Sequence, residues 1–197
     1  MESVRPMAII FIGTAGSGKS SVSRTAARQF RAAYLDKDTM VTPLTELVLR
    51  ERGEDPQQRE SSAYYRDVIF PAEYTALMRT AADNLALGIP VVIDAPFFAF
   101  LDDASYLRRA RAEAGWPPDT EVFVVRVVAP DHIVRERLAA RGLSRDRWKL
   151  DHWDEYRSMM RGLRCAWLDA AHVELDNGGP QPDLAPLEET IRAAGRG

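Results

Sequence analysis

The sequence predicts an α/β protein of three layers, a parallel sheet with helices on both faces. Three observations predict it. Short apolar runs alternate with amphipathic stretches along all 197 residues, the pattern of repeated strand-helix units. The segment Gly13-Thr14-Ala15-Gly16-Ser17-Gly18-Lys19-Ser20 matches G-x-x-x-x-G-K-[ST] between an apolar run and an amphipathic stretch, where that pattern forms a phosphate-binding loop. Two further apolar runs end in acids, at Asp36 and Asp94, as parallel strands do where they deliver side chains to a site.

Taken in order, Met7–Ile12 is a buried strand and Ser21–Arg31 a helix, with the glycines in the turn between them. Ala32–Leu35 is a short second strand, Pro43–Arg52 a helix, and Gly53–Glu60 a polar surface loop. Ser61–Leu87 is mostly helical, with a break or kink at Pro71. Ile89–Asp94 is a third strand, Leu101–Ala114 a helix, Glu121–Val128 a fourth strand and Asp131–Arg141 a helix. Gly142–Asp151 is polar and rich in Arg, Trp153–Leu163 is helical, Val173–Leu175 is a last strand, and Leu184–Ala194 closes the chain. The length and a 46% hydrophobic content suit one domain over 1–197.

Charge and composition narrow the function. A net charge of −3 and a pI of 5.7 supply no global attraction for polyanions, which disfavours nucleic acid as the main partner. A lone Cys165 permits no intrachain disulfide, and His132, His152 and His172 are too far apart for a local zinc motif. With no leader-like segment and no apolar run long enough to span a bilayer, the expectation is a cytoplasmic protein without a membrane partner. Oligomeric state is not legible.

The chemistry starts at the loop. Backbone N–H groups of Gly13 to Ser21 would converge on nucleotide phosphates at a helix N-terminus, Lys19 would reach phosphate oxygens, and Ser20 would ligate Mg²⁺. An acceptor hydroxyl must lie in line with the γ-phosphate and lose its proton, so a carboxylate at Asp36 or Asp38 suits a general base. Asp38 is preferred, with the other acid free to cap the next helix. Lys37 between them either holds an acceptor anion or forms an ion pair. Asp94 is placed against the metal or the acceptor, and Phe97, Phe98 and Phe100 either wall an acceptor pocket or join the core, Phe97 being the one assigned to substrate. Arg137 and Arg141 share a helix face and are placed on the nucleotide. Arg145 and Arg147, swung in by a lid over about 141–151, would stabilise charge on the transferred phosphoryl group, with Lys149 beside them. An acceptor cap over about 39–74 contains Arg50, Arg59 and Arg66, and with Arg79 these suit an anionic acceptor, Arg66 being the one assigned to substrate; Asp102 and Asp103 suit a cationic one.

With the loop, Leu35-Asp36-Lys37-Asp38-Thr39, the Asp94 strand and Arg137-Leu138-Ala139-Ala140-Arg141 in this order, Met7 to Asp151 resembles the small phosphate-loop kinases. That group holds zeta toxins, gluconate and shikimate kinases, chloramphenicol phosphotransferase and the polynucleotide 5′-hydroxyl kinases, with folds akin to AAA-type ATPases. Val173–Pro180 is similar to their final strand and adenine-side loop. The resemblance implies a five-stranded parallel sheet in the order 2-3-1-4-5, a mobile lid, and Mg²⁺-ATP as donor. The lid lacks the Arg-Pro dipeptide of a shikimate kinase, and Asp94-Ala95-Pro96 departs from the sugar-acid kinases, so no acceptor transfers. Three readings follow: a kinase of a small hydroxyl compound (a metabolite, nucleotide sugar or antibiotic), a polynucleotide 5′-hydroxyl kinase, and a non-catalytic nucleotide switch.

Overall fold

A computed structural model describes residues 6–143, 146–162 and 164–195. Five strands, β1 (Met7–Ile12), β2 (Ala33–Asp36), β3 (Val91–Asp94), β4 (Glu121–Val128) and β5 (Ala171–Asp176), form one all-parallel sheet in the order β2-β3-β1-β4-β5. The central strands are almost wholly apolar because both faces are covered. On one face Ile9, Phe11, Val92 and Val125 pack against α1 (Lys19–Gln29) and α8 (Ala185–Ala194). On the other, Ala8, Ile10, Ile93 and Val124 pack against α3 (Phe70–Ala86) and α4 (Tyr106–Ala114). The remaining helices are α2 (Lys37–Glu51), α5 (Asp131–Arg141), α6 (Arg147–Asp151) and α7 (Trp153–Arg161). No helix among the described residues is long and apolar enough to cross a membrane.

Of two prolines, Pro43 acts differently from the sequence reading and Pro71 as expected. The second helix begins at Lys37, six residues before the expected start at Pro43, because the Asp36 carboxylate accepts from the Thr39 N–H at 2.9 Å and caps it. Thr39 is therefore inside the first turn, and Pro43 is carried within the helix. Pro71 does produce a local irregularity. It has no N–H for an α-helical bond, and the chain widens into one π-helical turn over Tyr65–Ile69 immediately before α3. The polar stretch expected as a loop contains a 3-10 segment, Pro56–Ser61.

Register sets the site. Asp36 at the end of β2 lies opposite Asp94 at the end of β3, which lies opposite Phe11 one residue before β1 ends. Both acids and the loop after β1 therefore emerge at the carboxyl edge of the sheet, on three adjacent strands.

Candidate active site

The loop from Gly13 to Ser21 leads into α1, whose first turn has no side-chain cap. Gly16 and Gly18 both have φ of 83°, in the left-handed region. A Cβ at Gly18 would lie 2.2 Å from Asn177 Nδ2, and one at Gly16 would lie 2.9 Å from Val134, so close packing as well as backbone conformation demands glycine. Distant residues hold the loop's outer surface. Asn177 Nδ2 donates to the Ser17 carbonyl at 2.8 Å, Arg137 donates to the same carbonyl at 3.2 Å, and Tyr156 Oη donates to the Ala15 carbonyl at 3.3 Å. With carbonyls engaged outward, the loop and the uncapped helix start suit an anion.

A cleft of about 400 Å³ opens above the loop, lined by Gly13 to Gly16, Gly18 to Ser21, Asp38, Pro96, Phe98, Arg137, Arg141 and Lys149. Lys19 forms an ion pair with Asp94 at its base. Burial pushes the Lys19 ammonium down to about 8, opposed by the Asp36 and Asp38 carboxylates. Asp94 is only 3% exposed and accepts from Ser23 Oγ at 3.1 Å and from Tyr34 Oη at 2.7 Å. It does not line the cleft, which corrects its placement against an acceptor: its position beneath Lys19 makes it that lysine's counter-ion. A cation at the loop would find the Ser20 hydroxyl and the phosphates of a bound nucleotide. Such a donor set fits Mg²⁺, which commonly keeps water and substrate phosphates and needs no all-protein cage; among the described residues no group of three or more His, Cys, Asp or Glu could hold a metal.

The two neighbouring acids have separate environments. Asp36 Oδ1 caps α2, and its Oδ2, 3.0 Å from Tyr34 Oη, shares that single hydroxyl proton with Asp94, so this carboxylate is committed to the corner at the start of α2. Asp38, in the first turn of the helix, has a side chain 52% exposed and faces the loop cleft. Lys37 neither bridges the two acids nor faces the cleft. It is 3% exposed, with Nζ 2.7 Å from Glu73 Oε2 and 3.5 Å from Asp38 Oδ1, and Glu73 also accepts from Thr45 Oγ1 at 2.7 Å and Tyr65 Oη at 3.3 Å. This buried group pins the start of α2 to α3.

Other expectations are corrected by packing. Phe97 has φ of 53° and is fully buried, its ring against Tyr74, Tyr106 and Trp167 and its N–H donated to Tyr74 Oη. It cannot touch a substrate. The left-handed turn at Phe97 sends Phe98 into the cleft instead. No residue of 39–74 lines this cleft. Arg66 donates to the carbonyls of Glu60 and Ser61, Arg50 pairs with Glu46, and Arg59 lies over Tyr65, so the proposed acceptor cap presents no arginine to the loop.

Of the lid arginines, Arg145 falls outside the described residues. Arg147 is 87% exposed, 3.8 Å from Asp151, and does not line the cleft. Arg141 and Lys149 do, brought together by fully buried Asp146, which accepts from Arg141 Nη2 at 2.7 Å and Lys149 Nζ at 2.8 Å. Burial pushes the Asp146 carboxyl up, but these donors outweigh it and hold it below the usual range. Asp146, Ser23, Tyr34 and Asn177 were missed from sequence. Only Asn177 had a signal, in the Asn-Gly-Gly turn after the last strand.

Comparison with known proteins agrees with this geometry. The profile of a family described as an AAA domain matches residues 9–163. No curated protein matches in sequence. Similar solved structures include a candidate kinase from Chloroflexus aurantiacus (21% identity, 96% of this chain and 98% of that one, TM-score 0.66). A sugar kinase from a Janibacter species has 17% identity over 96% and 93% of the two chains, TM-score 0.56. A gluconokinase from Sinorhizobium meliloti has 18% identity over 98% and 93%, TM-score 0.52. At these identities the likeness is one of fold alone.

Proposed function

The chain belongs to this AAA domain family, and on that premise we propose that it is an ATP-dependent kinase that transfers the γ-phosphoryl group to a hydroxyl of a small molecule. The observation that carries the reading is the single cleft in which the loop, Lys19, Asp38, Arg137, Arg141 and Lys149 meet. Mg²⁺-ATP would be held by the loop N–H groups, Lys19 and Ser20, and it supplies the phosphoryl group and a bridging cation. Asp38 orients the acceptor hydroxyl and takes its proton as the new P–O bond forms and the β–γ bridge opens. Arg141 and Lys149, gathered by Asp146, bring positive charge to the phosphoryl oxygens. The segment 141–151 acts as the lid, which excludes water from the transfer.

The test is a screen of hydroxylated metabolites and antibiotics for acceptor-dependent ADP release, with Lys19→Ala as the control. Release stimulated by an acceptor in the native chain and absent in the variant supports the reading. Mg²⁺-ATP binding with no stimulation by any hydroxyl compound favours a nucleotide switch instead.

A further inference from the structure

A second cleft, of about 150 Å³, adjoins the first and shares Gly13, Thr14 and Phe98 with it. It lies between the ends of β1 and β4 and the helix α7 that follows the lid. Its walls are largely apolar, with Leu101, Trp153 and Met160 among them, yet three arginines enter it. Arg126 interrupts the otherwise apolar interior of β4 and is 3.1 Å from exposed Glu174. Arg157 and Arg161, one turn apart on α7, both pair with the same oxygen, Asp131 Oδ2, Arg161 at 3.3 Å. The Arg157 Nε is buried without a hydrogen-bond partner. A guanidinium has five donors and an unsatisfied buried one is costly. The cleft thus has more cation than its one lining carboxylate can satisfy, in a space close to that of a cavity known to hold a benzene ring.

We infer that this cleft takes an oxyanion on a molecule of about one ring, with Arg126, Arg157 and Arg161 as its ligands and Asp131 as the internal carboxylate it displaces. Resting on the kinase reading, the occupant is the acceptor itself, a small hydroxy acid whose anion sits on α7 while its hydroxyl is presented past Phe98 to the start of the phosphate loop. The absence of any cleft-lining residue from 39–74 agrees with this placement.

The site is tested without turnover. Benzoate and benzamide, a matched anion and neutral compound, are titrated calorimetrically into the full chain in saturating Mg²⁺-ADP, which fills the phosphate loop. Benzoate should bind at least about tenfold more tightly than benzamide, and Arg157→Gln should weaken benzoate by about tenfold or more. Asp131→Asn should tighten benzoate several-fold, because it removes the competing carboxylate; a purely structural ion pair would not give the two variants opposite signs. Thermal unfolding reports whether each variant folds. If Arg157→Gln does not, Asp131→Asn and the benzamide comparison decide. Equal binding of benzoate and benzamide, or weaker benzoate binding in Asp131→Asn, overturns the inference. ADP release with paired hydroxy acids and hydroxy amides then separates the two claims. Stimulation by amides alone overturns the anionic acceptor and leaves the kinase standing, whereas Mg²⁺-ADP binding with no stimulation by either class overturns the kinase reading and leaves the anion cleft to the benzoate result.

Discussion

The phosphate loop and the lid face each other across one cleft, but they are held by different forces. Around the loop, side chains from α5, α7 and the turn after β5 grip backbone carbonyls of Ala15 and Ser17, and glycines are required where the packing leaves no room. In the lid, one buried carboxylate, Asp146, gathers two cations. Backbone bracing fixes a shape before ligand arrives. A charge cluster instead fixes which side chains travel together, and an incoming phosphate competes with the carboxylate for them. On the proposed function the first region is preorganised, and the second would exchange partners as the lid closes.

The most severe way to break this comparison is Lys19→Ala. Phosphoryl transfer should fall at least about 10³-fold and Mg²⁺-ATP binding should weaken greatly by calorimetry. The variant should also melt at lower temperature, since buried Asp94 loses its counter-ion and keeps only Ser23 and Tyr34. Unchanged ATP affinity would remove the loop from the mechanism.

Asp38→Asn comes next, with kcat lower by about 100-fold or more and ATP affinity within a few-fold, because the amide keeps the shape and cannot take the proton. Its neighbour should behave oppositely: Asp36→Asn keeps an oxygen for the Thr39 N–H and should cost under about 1 kcal/mol of stability with little change in kcat. A large kcat loss confined to Asp36→Asn would exchange the two roles.

The lid side is probed by Asp146→Asn, for which kcat should fall by about tenfold, the loss of one organised cation near the phosphoryl group. Amide exchange across 146–151 should quicken in the same variant while that of Met7–Ile12 is unchanged. Smallest of all, Asn177→Ala removes one of two donors to the Ser17 carbonyl and should cost about 1 kcal/mol in chemical denaturation, with a few-fold weaker ATP. If Asn177→Ala proved more damaging to transfer than Asp146→Asn, the contrast between a braced loop and an exchangeable lid would reverse.

Local constraints made much of this readable from the chain. The strands Met7–Ile12 and Glu121–Val128 and the helix Asp131–Arg141 are found with the bounds expected, because largely apolar runs and a Gly142 stop leave few alternatives. The glycine-rich turn carries its meaning in its own backbone. Where propensity competed with a cap, the reading slipped: Pro43 looked like a helix start, but the bond from Thr39 to Asp36 begins that helix earlier. Between two adjacent phenylalanines no pattern says which goes inside, and a left-handed turn with a partner 23 residues away, Tyr74, decides it.

By itself, then, the sequence determined the layered α/β fold and the position of the phosphate loop, since strand periodicity and glycine conformation are properties of neighbouring residues. Tertiary structure decided which charges act. Asp36 and Asp38 are two residues apart with the same chemistry, and only the bonds from Thr39 and Tyr34 turn one into a cap and leave the other facing the loop. Lys37 is drawn inward by Glu73, and Arg126 from β4 and Arg157 and Arg161 from α7 meet only as walls of one cleft. A carboxylate or a guanidinium takes its role from the partners and solvent around it, and those are assembled from distant parts of the chain.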